Sequence, residues 1–143
     1  MVLLGYPGIG KTTLAKKCPI IDLDSSRFFG KSNWVEKYCA FIKGFNEEGI
    51  NVFASCHKKV REELKRMGID YVVVIPSMAL RDQWVGKLAK RYFTSEEDAD
   101  FRAWHRATID FEADIEDLME EDKKLVIEAM DYDLEEMLKC LLL

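Results

Sequence analysis

No stretch of the 143-residue chain stays apolar for long. Its unbroken apolar runs, such as VVVI at 72–75 and the closing LLL, fall far short of the roughly 20 apolar residues a membrane-spanning helix needs. The opening MVLLG has neither a basic region nor a long apolar one, so no secretory leader is expected. Cys18, Cys39, Cys56 and Cys140 are widely spaced, with no C-x-x-C and no Cys/His cluster, which argues against a zinc site. Without a leader, these thiols are expected reduced and mostly buried. Repeats, low-complexity tracts and interdomain linkers are also lacking, so residues 1–143 are expected to form one domain. These absences predict a cytoplasmic protein with no membrane partner.

What the chain has is ordinary for a globular domain: 48% hydrophobic and 33% charged residues, enough for a core without a structural metal. The net charge of −5 conceals a division. Residues 1–93 carry 16 Lys and Arg against 9 Asp and Glu, whereas residues 94–143 carry 5 against 17. A chain with its basic residues gathered in this way is open to a polyanionic ligand despite the acidic total.

Short apolar runs alternate with helical periodicity along the chain. Strands are expected at 2–5, 19–24, 50–55, 70–75 and 125–129, and helices at 11–18, 33–46, 58–67, 78–93 and 132–142. Ser95, with Asp98 three residues on, predicts the start of a long acidic helix running to residue 121. Its Phe101, Trp104, Thr108, Phe111, Ile115 and Leu118 are expected to face the core, with most carboxylates toward solvent. Strands alternating with helices imply an α/β fold whose parallel sheet is covered on both faces.

One motif carries specific chemistry. Gly5-Tyr6-Pro7-Gly8-Ile9-Gly10-Lys11-Thr12 matches G-x-x-x-x-G-K-[ST] between an expected strand and an expected helix. Glycines let successive backbone N–H groups converge on phosphate oxygens without a Cβ clash. The N-terminus of the following helix adds a favourable field at the same spot. The expected nucleotide-phosphate set is Gly5, Pro7, Gly8, Ile9, Gly10, Lys11, Thr12 and Thr13. Lys11 would bridge the β- and γ-phosphates and the Thr12 hydroxyl would ligate Mg²⁺. For Thr13 two roles are open, a contact to the α-phosphate or a helix cap.

The segment IDLDSSR at 21–27 places Asp22 and Asp24 on one face of the second strand, at its carboxyl end. Asp22 is expected on the metal side with Thr12, and Asp24 beside the acceptor of the phosphoryl group. Arg27 would hold an anionic acceptor in a bidentate fork. The third strand ends ASCH with no Asp, so the usual second carboxylate of motors and switches is missing there. His57 and Arg61 at the turn that follows either line the acceptor site or form a basic solvated turn. In RDQWVGKLAKRY, Arg81, Lys87 and Arg91 suit a segment that closes over polyphosphate, with an ordinary amphipathic helix as the alternative. Lys87 and Arg91 lie four residues apart on one helix face, a repulsive arrangement unless an anion sits between them.

In GYPGIGKTT, IDLDSSRF, RDQWVGKLAKRY and KLVIEAMDYDLEEML, taken in order, the chain resembles the P-loop kinases. That family includes nucleoside-monophosphate, shikimate and gluconate kinases and the kinase domain of polynucleotide kinases. The chain looks most like small nucleotide-kinase-like proteins of phages, which would put it in the host cytoplasm. The resemblance implies a three-layer fold, a five-stranded parallel sheet in the order 2-3-1-4-5, and a short basic lid at about 78–95. It implies ATP as phosphoryl donor with Mg²⁺, and it matches Asp24 to the substrate-side carboxylate and Asp22 to the metal-side one; Arg81, Lys87 and Arg91 are similar as a group to lid cations, with Arg91 expected to join Lys11 and Asp24 in catalysis. The D-G-[FY]-P-R motif of adenylate kinases is absent, so AMP specificity is not implied.

Three functions are in competition. The first is transfer from ATP to a (deoxy)nucleoside monophosphate. The second is transfer to a nucleic-acid 5′-hydroxyl, a nucleoside or a small metabolite. The third is nucleotide binding for regulation, without transfer.

Overall fold

Residues 2–5 are apolar because they form the middle strand of a sheet with no solvent-facing side. In the computed structural model, which describes residues 1–142 and all of their side chains except those of Cys140 and Leu142, β1 (Val2–Gly5) is buried along its whole length. It pairs in parallel with β3 (Asn51–Ser55) on one side and β4 (Val72–Pro76) on the other. β2 (Ile20–Leu23) and β5 (Lys124–Ile127) complete the edges, both parallel, giving the order β2-β3-β1-β4-β5. Helices cover both faces, as the alternating pattern implied.

The helices are α1 (Lys11–Ala15), α2 (Trp34–Glu47), α3 (Lys58–Arg66), α4 (Arg81–Ser95), α5 (Asp98–Met119) and α6 (Leu134–Leu142). α1 ends three residues earlier than its periodicity suggested, because residues 16–18 turn to deliver Pro19 to the next strand. Fully buried Val52, Phe53, Val73, Val74 and Ile75 meet Tyr38, Ile42 and Leu64 from one set of helices and Trp84, Phe111 and Ile115 from another. Cys39 is buried, and Cys18 and Cys56 are half-buried free thiols; the Cys140 side chain lies outside the described residues. Among the described residues no helix is long and apolar enough to cross a membrane.

Two features of the α4–α5 hairpin differ from the sequence reading. α4 runs on to Ser95, and Glu96 in a left-handed conformation makes the turn, so α5 begins at Asp98 with Glu97 before it. Ser95 bridges the turn, accepting from Glu97 N–H and donating to the buried Asp100. The buried stripe of α5 is Asp100, Ala107, Phe111, Ile115 and Leu118. Thr108 is exposed, and Phe101 packs at the hairpin tip against Tyr92, Trp104 and His105.

One buried hydroxyl aligns the strand ends at which the site is built. Tyr38 donates to Leu23 O at the end of β2 and accepts from Ser55 N–H at the end of β3, at 2.9 Å. Burial raises its pKa far above the usual tyrosine value, so the hydroxyl keeps the proton that it donates.

Candidate active site

β1 stops at Gly5, and the chain turns through residues 6–10 into α1. Gly8 and Gly10 have φ of 85° and 106°, where side chains with a Cβ are strained. Gly8 is also closely approached: a Cβ there would stand 2.9 Å from Leu88 Cδ2. The loop, with Lys11, Thr12 and Thr13, lines one side of a cavity of about 970 Å³, large enough for two small ligands end to end. Among the described residues, no hydrogen bond or ion pair engages the Lys11 ammonium. Burial lowers its pKa, partly countered by Cys56, Asp22 and Asp24 nearby. A half-buried cation with no partner among the described residues, at the end of a glycine-rich loop, suits an anion.

The Thr12 hydroxyl donates to Asp22 Oδ2 at 2.7 Å, so these two expected metal-side residues lie together where α1 meets the end of β2. Among the described residues no group of three or more Cys, His, Asp or Glu could hold an ion alone. Hard oxygen donors in this small number suit Mg²⁺, which takes its remaining ligands from water and phosphates. Thr12 and Asp22 would hold it, and it would neutralise charge on the bound phosphates.

Asp24 caps the short turn Ser25–Arg27, accepting from Ser26 N–H at 2.9 Å and Ser26 Oγ at 2.8 Å. Those bonds fix a carboxylate that faces the cavity. Beside it, buried Ser25 Oγ lies 3.1 Å from both Ser55 Oγ and His57 Nε2. Burial, reinforced by Arg106 and Lys11, pushes His57 down to about 4. The imidazole is therefore neutral at pH 7 and serves as a hydrogen-bonding wall. Phe29 and Trp34 pack edge-on against it at 5.7 and 5.8 Å between centroids.

The expected substrate residues separate into two groups. Asp22, Asp24, His57, Lys87 and Arg91 border the cavity together with the loop, whereas Arg27 and Arg81 do not. Arg27 is exposed beyond it, and Arg81 turns to Asp82 and Glu112 on the hairpin's outer side. Arg61 reaches the cavity wall, but its guanidinium is committed elsewhere. Its Nη1 donates to Glu121 at 2.7 Å, Nη2 donates to Asp117, and Nε donates to Cys56 O at 3.0 Å. Arg91 is held by Asp100 at 2.8 Å. Leu80, Trp84 and Leu88 are buried, so one face of the segment 78–95 belongs to the core.

α5 supplies cavity residues that the sequence reading left to solvent. Arg102, Arg106, Asp114 and Asp117 all line the cavity. Arg106 forms a bidentate pair with Asp114, at 2.8 and 3.0 Å, and Arg102 lies 5.8 Å from the centre of the Phe29 ring. The signal was available. Arg102 and Arg106 are the only Lys or Arg residues between 94 and 122, and they stand four apart on one helical face. A helix judged by its total charge hides such a pair.

No protein-family model matches the chain, and no curated protein matches it by sequence. Among solved structures it is similar to a shikimate kinase from Bacteroides thetaiotaomicron, with a TM-score of 0.58 and 19% identity, over 98% of this chain and 94% of that one. The fold is therefore that of the P-loop kinases, with the strand order the resemblance implied.

Proposed function

We propose that the protein is an ATP-dependent phosphotransferase whose acceptor is a nucleoside monophosphate. The observation that carries this reading is that the glycine-rich loop, Asp22, Asp24, Phe29, Arg102 and Arg106 all line one cavity. The loop end supplies converging amides and a free cation for a triphosphate. Phe29 supplies an aromatic face for a planar ring, and Arg102, with the Nη1 that Arg106 leaves unbonded in its pair with Asp114, supplies guanidinium donors for an anion. An acceptor with both a base and a phosphate fits that combination.

In the reaction an oxygen of the acceptor phosphate attacks the γ-phosphorus in line. The new O–P bond forms as the bond to the β–γ bridging oxygen breaks, and ADP leaves. Lys11 stabilises charge on the transferring group, and Arg91 joins it after exchanging Asp100 for phosphate. A monophosphate oxygen at neutral pH has no proton to lose, so Asp24 orients the acceptor.

A hydroxyl acceptor is the second reading, favoured by Asp24 itself, a carboxylate fixed by Ser26 on the wall of the same cavity as the loop. There it would accept the hydroxyl proton, a contribution of about 10²- to 10⁴-fold. The two readings predict different behaviour of Asp24→Asn. With a monophosphate acceptor the variant raises KM for the acceptor several-fold and leaves kcat within about tenfold. With a hydroxyl acceptor kcat collapses, and in both cases ATP binding is spared.

The test of the proposal is ADP production from Mg-ATP with a panel of nucleoside monophosphates, nucleosides, small hydroxyl metabolites and 5′-hydroxyl oligonucleotides. Stimulation by one or more monophosphates supports it. Stimulation by a hydroxyl compound alone moves the assignment to the second reading. Nucleotide binding with no acceptor-dependent turnover would leave a non-catalytic nucleotide-binding protein.

A further inference from the structure

The outer side of the phosphate-binding loop is closed by two side chains from distant parts of the chain. Trp84 of α4 donates its indole N–H to Pro7 O at 2.8 Å. Tyr132, between β5 and α6, donates its hydroxyl to Ile9 O at 2.8 Å. The two rings stack with centroids 6.0 Å apart and planes 20° from parallel. Lys87 completes the group: its ammonium donates to the Tyr132 hydroxyl at 2.9 Å and lies 4.5 and 5.0 Å from the two ring centres. Trp84 is fully buried, and a Cβ on Gly8 would come within 3.3 Å of its Nε1.

Peptide geometry gives these contacts a consequence. In a trans peptide the C=O of one residue and the N–H of the next lie in one plane and point opposite ways. Fixing Pro7 O outward therefore aims Gly8 N–H inward, and fixing Ile9 O outward aims Gly10 N–H inward. Glycine tolerates many backbone conformations, so a loop containing Gly8 and Gly10 would otherwise lose that freedom at the moment of binding. A carbonyl that accepts a hydrogen bond also polarises its peptide, strengthening the N–H on the other side.

We infer that Trp84 and Tyr132 are positioning residues for nucleotide binding, clamping the carbonyls of Pro7 and Ile9 so that the Gly8 and Gly10 amides are aimed at phosphate before it arrives. Lys87 orients the Tyr132 hydroxyl from the cavity side. The inference deepens the reading of the loop as a nucleoside-triphosphate site and rests on it.

Calorimetric titration of the full chain with a Mg²⁺-bound, non-hydrolysable ATP analogue tests it, comparing wild type, Tyr132→Phe and Trp84→Phe. Tyr132→Phe keeps the ring and its stack but loses the hydroxyl's bonds to Ile9 O and Lys87 and its longer contact to Gly8 O, and should weaken binding by roughly fivefold. The melting temperature of the nucleotide-free protein should stay near that of wild type. In ¹H–¹⁵N spectra without nucleotide, the Gly10 amide should move in Tyr132→Phe and the Gly8 amide in Trp84→Phe. If Trp84→Phe fails to fold, the half-buried Tyr132 position carries the test alone. Affinity of Tyr132→Phe within twofold of wild type, with the Gly10 resonance unmoved, overturns the inference and leaves the nucleotide site standing. A wild-type protein that binds no analogue overturns both.

Discussion

Lys11→Met is expected to abolish phosphoryl transfer, by about 10³-fold or more, in a protein at least as stable as wild type. The two halves of this expectation have one cause. The Lys11 ammonium is desolvated, and among the described residues no partner pairs with it, so its charge is unfavourable in the empty fold and useful only when an anion arrives. Methionine keeps the apolar stem and removes the charge. The lost transition-state interaction has the magnitude of a preorganised donor in a dry site. Because burial lowers the Lys11 pKa from its ordinary 10.5, the unfolded chain holds that proton more tightly than the folded one. Lys11 therefore costs stability at neutral pH, and the cost fades as pH rises toward 10.5; Lys11→Met removes that dependence. Turnover with the best acceptor and thermal unfolding across pH measure both effects. A destabilised variant that retains turnover would mean that Lys11 is a structural residue.

Arg61→Ala is expected to destabilise the fold by about 3–5 kcal/mol, the range for breaking a buried ion pair from one side. Arg61 and Glu121 are both only 7% exposed, and they tie α3 to the turn after α5. Asp117 and Cys56 O take the other two guanidinium bonds, while Tyr71 and Lys65 donate to Glu121 at 2.7 and 3.1 Å. The Arg61 hydrogen bond pulls the Asp117 pKa down. Burial pushes Glu121 up, but bonds from Tyr71, Arg61 and Lys65 outweigh it and leave the pKa lowered. For a depressed carboxylate the stabilisation is present above the unfolded value and is lost as pH falls through the folded one. Wild type should therefore lose this contribution below about pH 4.5, the ordinary Glu value, and Arg61→Ala should lose less over the same interval. Urea unfolding at pH 7 and pH 3.5 is the check. At temperatures where the variant is folded, its acceptor KM should match wild type. A large KM increase at unchanged stability would return Arg61 to the substrate site.

The glycine-rich loop after β1 and the sheet were legible for the same reason. A glycine-rich turn between a buried strand and a helix is specified by local composition, and parallel strands covered on both faces advertise themselves as apolar runs. Asp22 and Asp24 were legible because a two-residue period puts them on one face at a strand's end. Arginines were the hard case, since a long side chain reaches whichever carboxylate the tertiary fold brings near. Arg61 lies 56 and 60 positions from the acids that hold it, a pairing no local spacing announces. Arg102 and Arg106 were hidden by the acidic helix around them. Tyr132 and Trp84 reach the loop from 123 and 77 positions away, and only the assembled fold brings them there.

If one cavity moves a phosphoryl group between two bound molecules, a labelled γ-phosphate must end on the acceptor. The protein would be incubated with Mg²⁺, γ-labelled ATP and each nucleoside monophosphate in turn, and the products separated. Label is expected in a nucleoside diphosphate, formed in step with ADP and lost in Lys11→Met. Label found only as inorganic phosphate, at a rate indifferent to every acceptor, would contradict it.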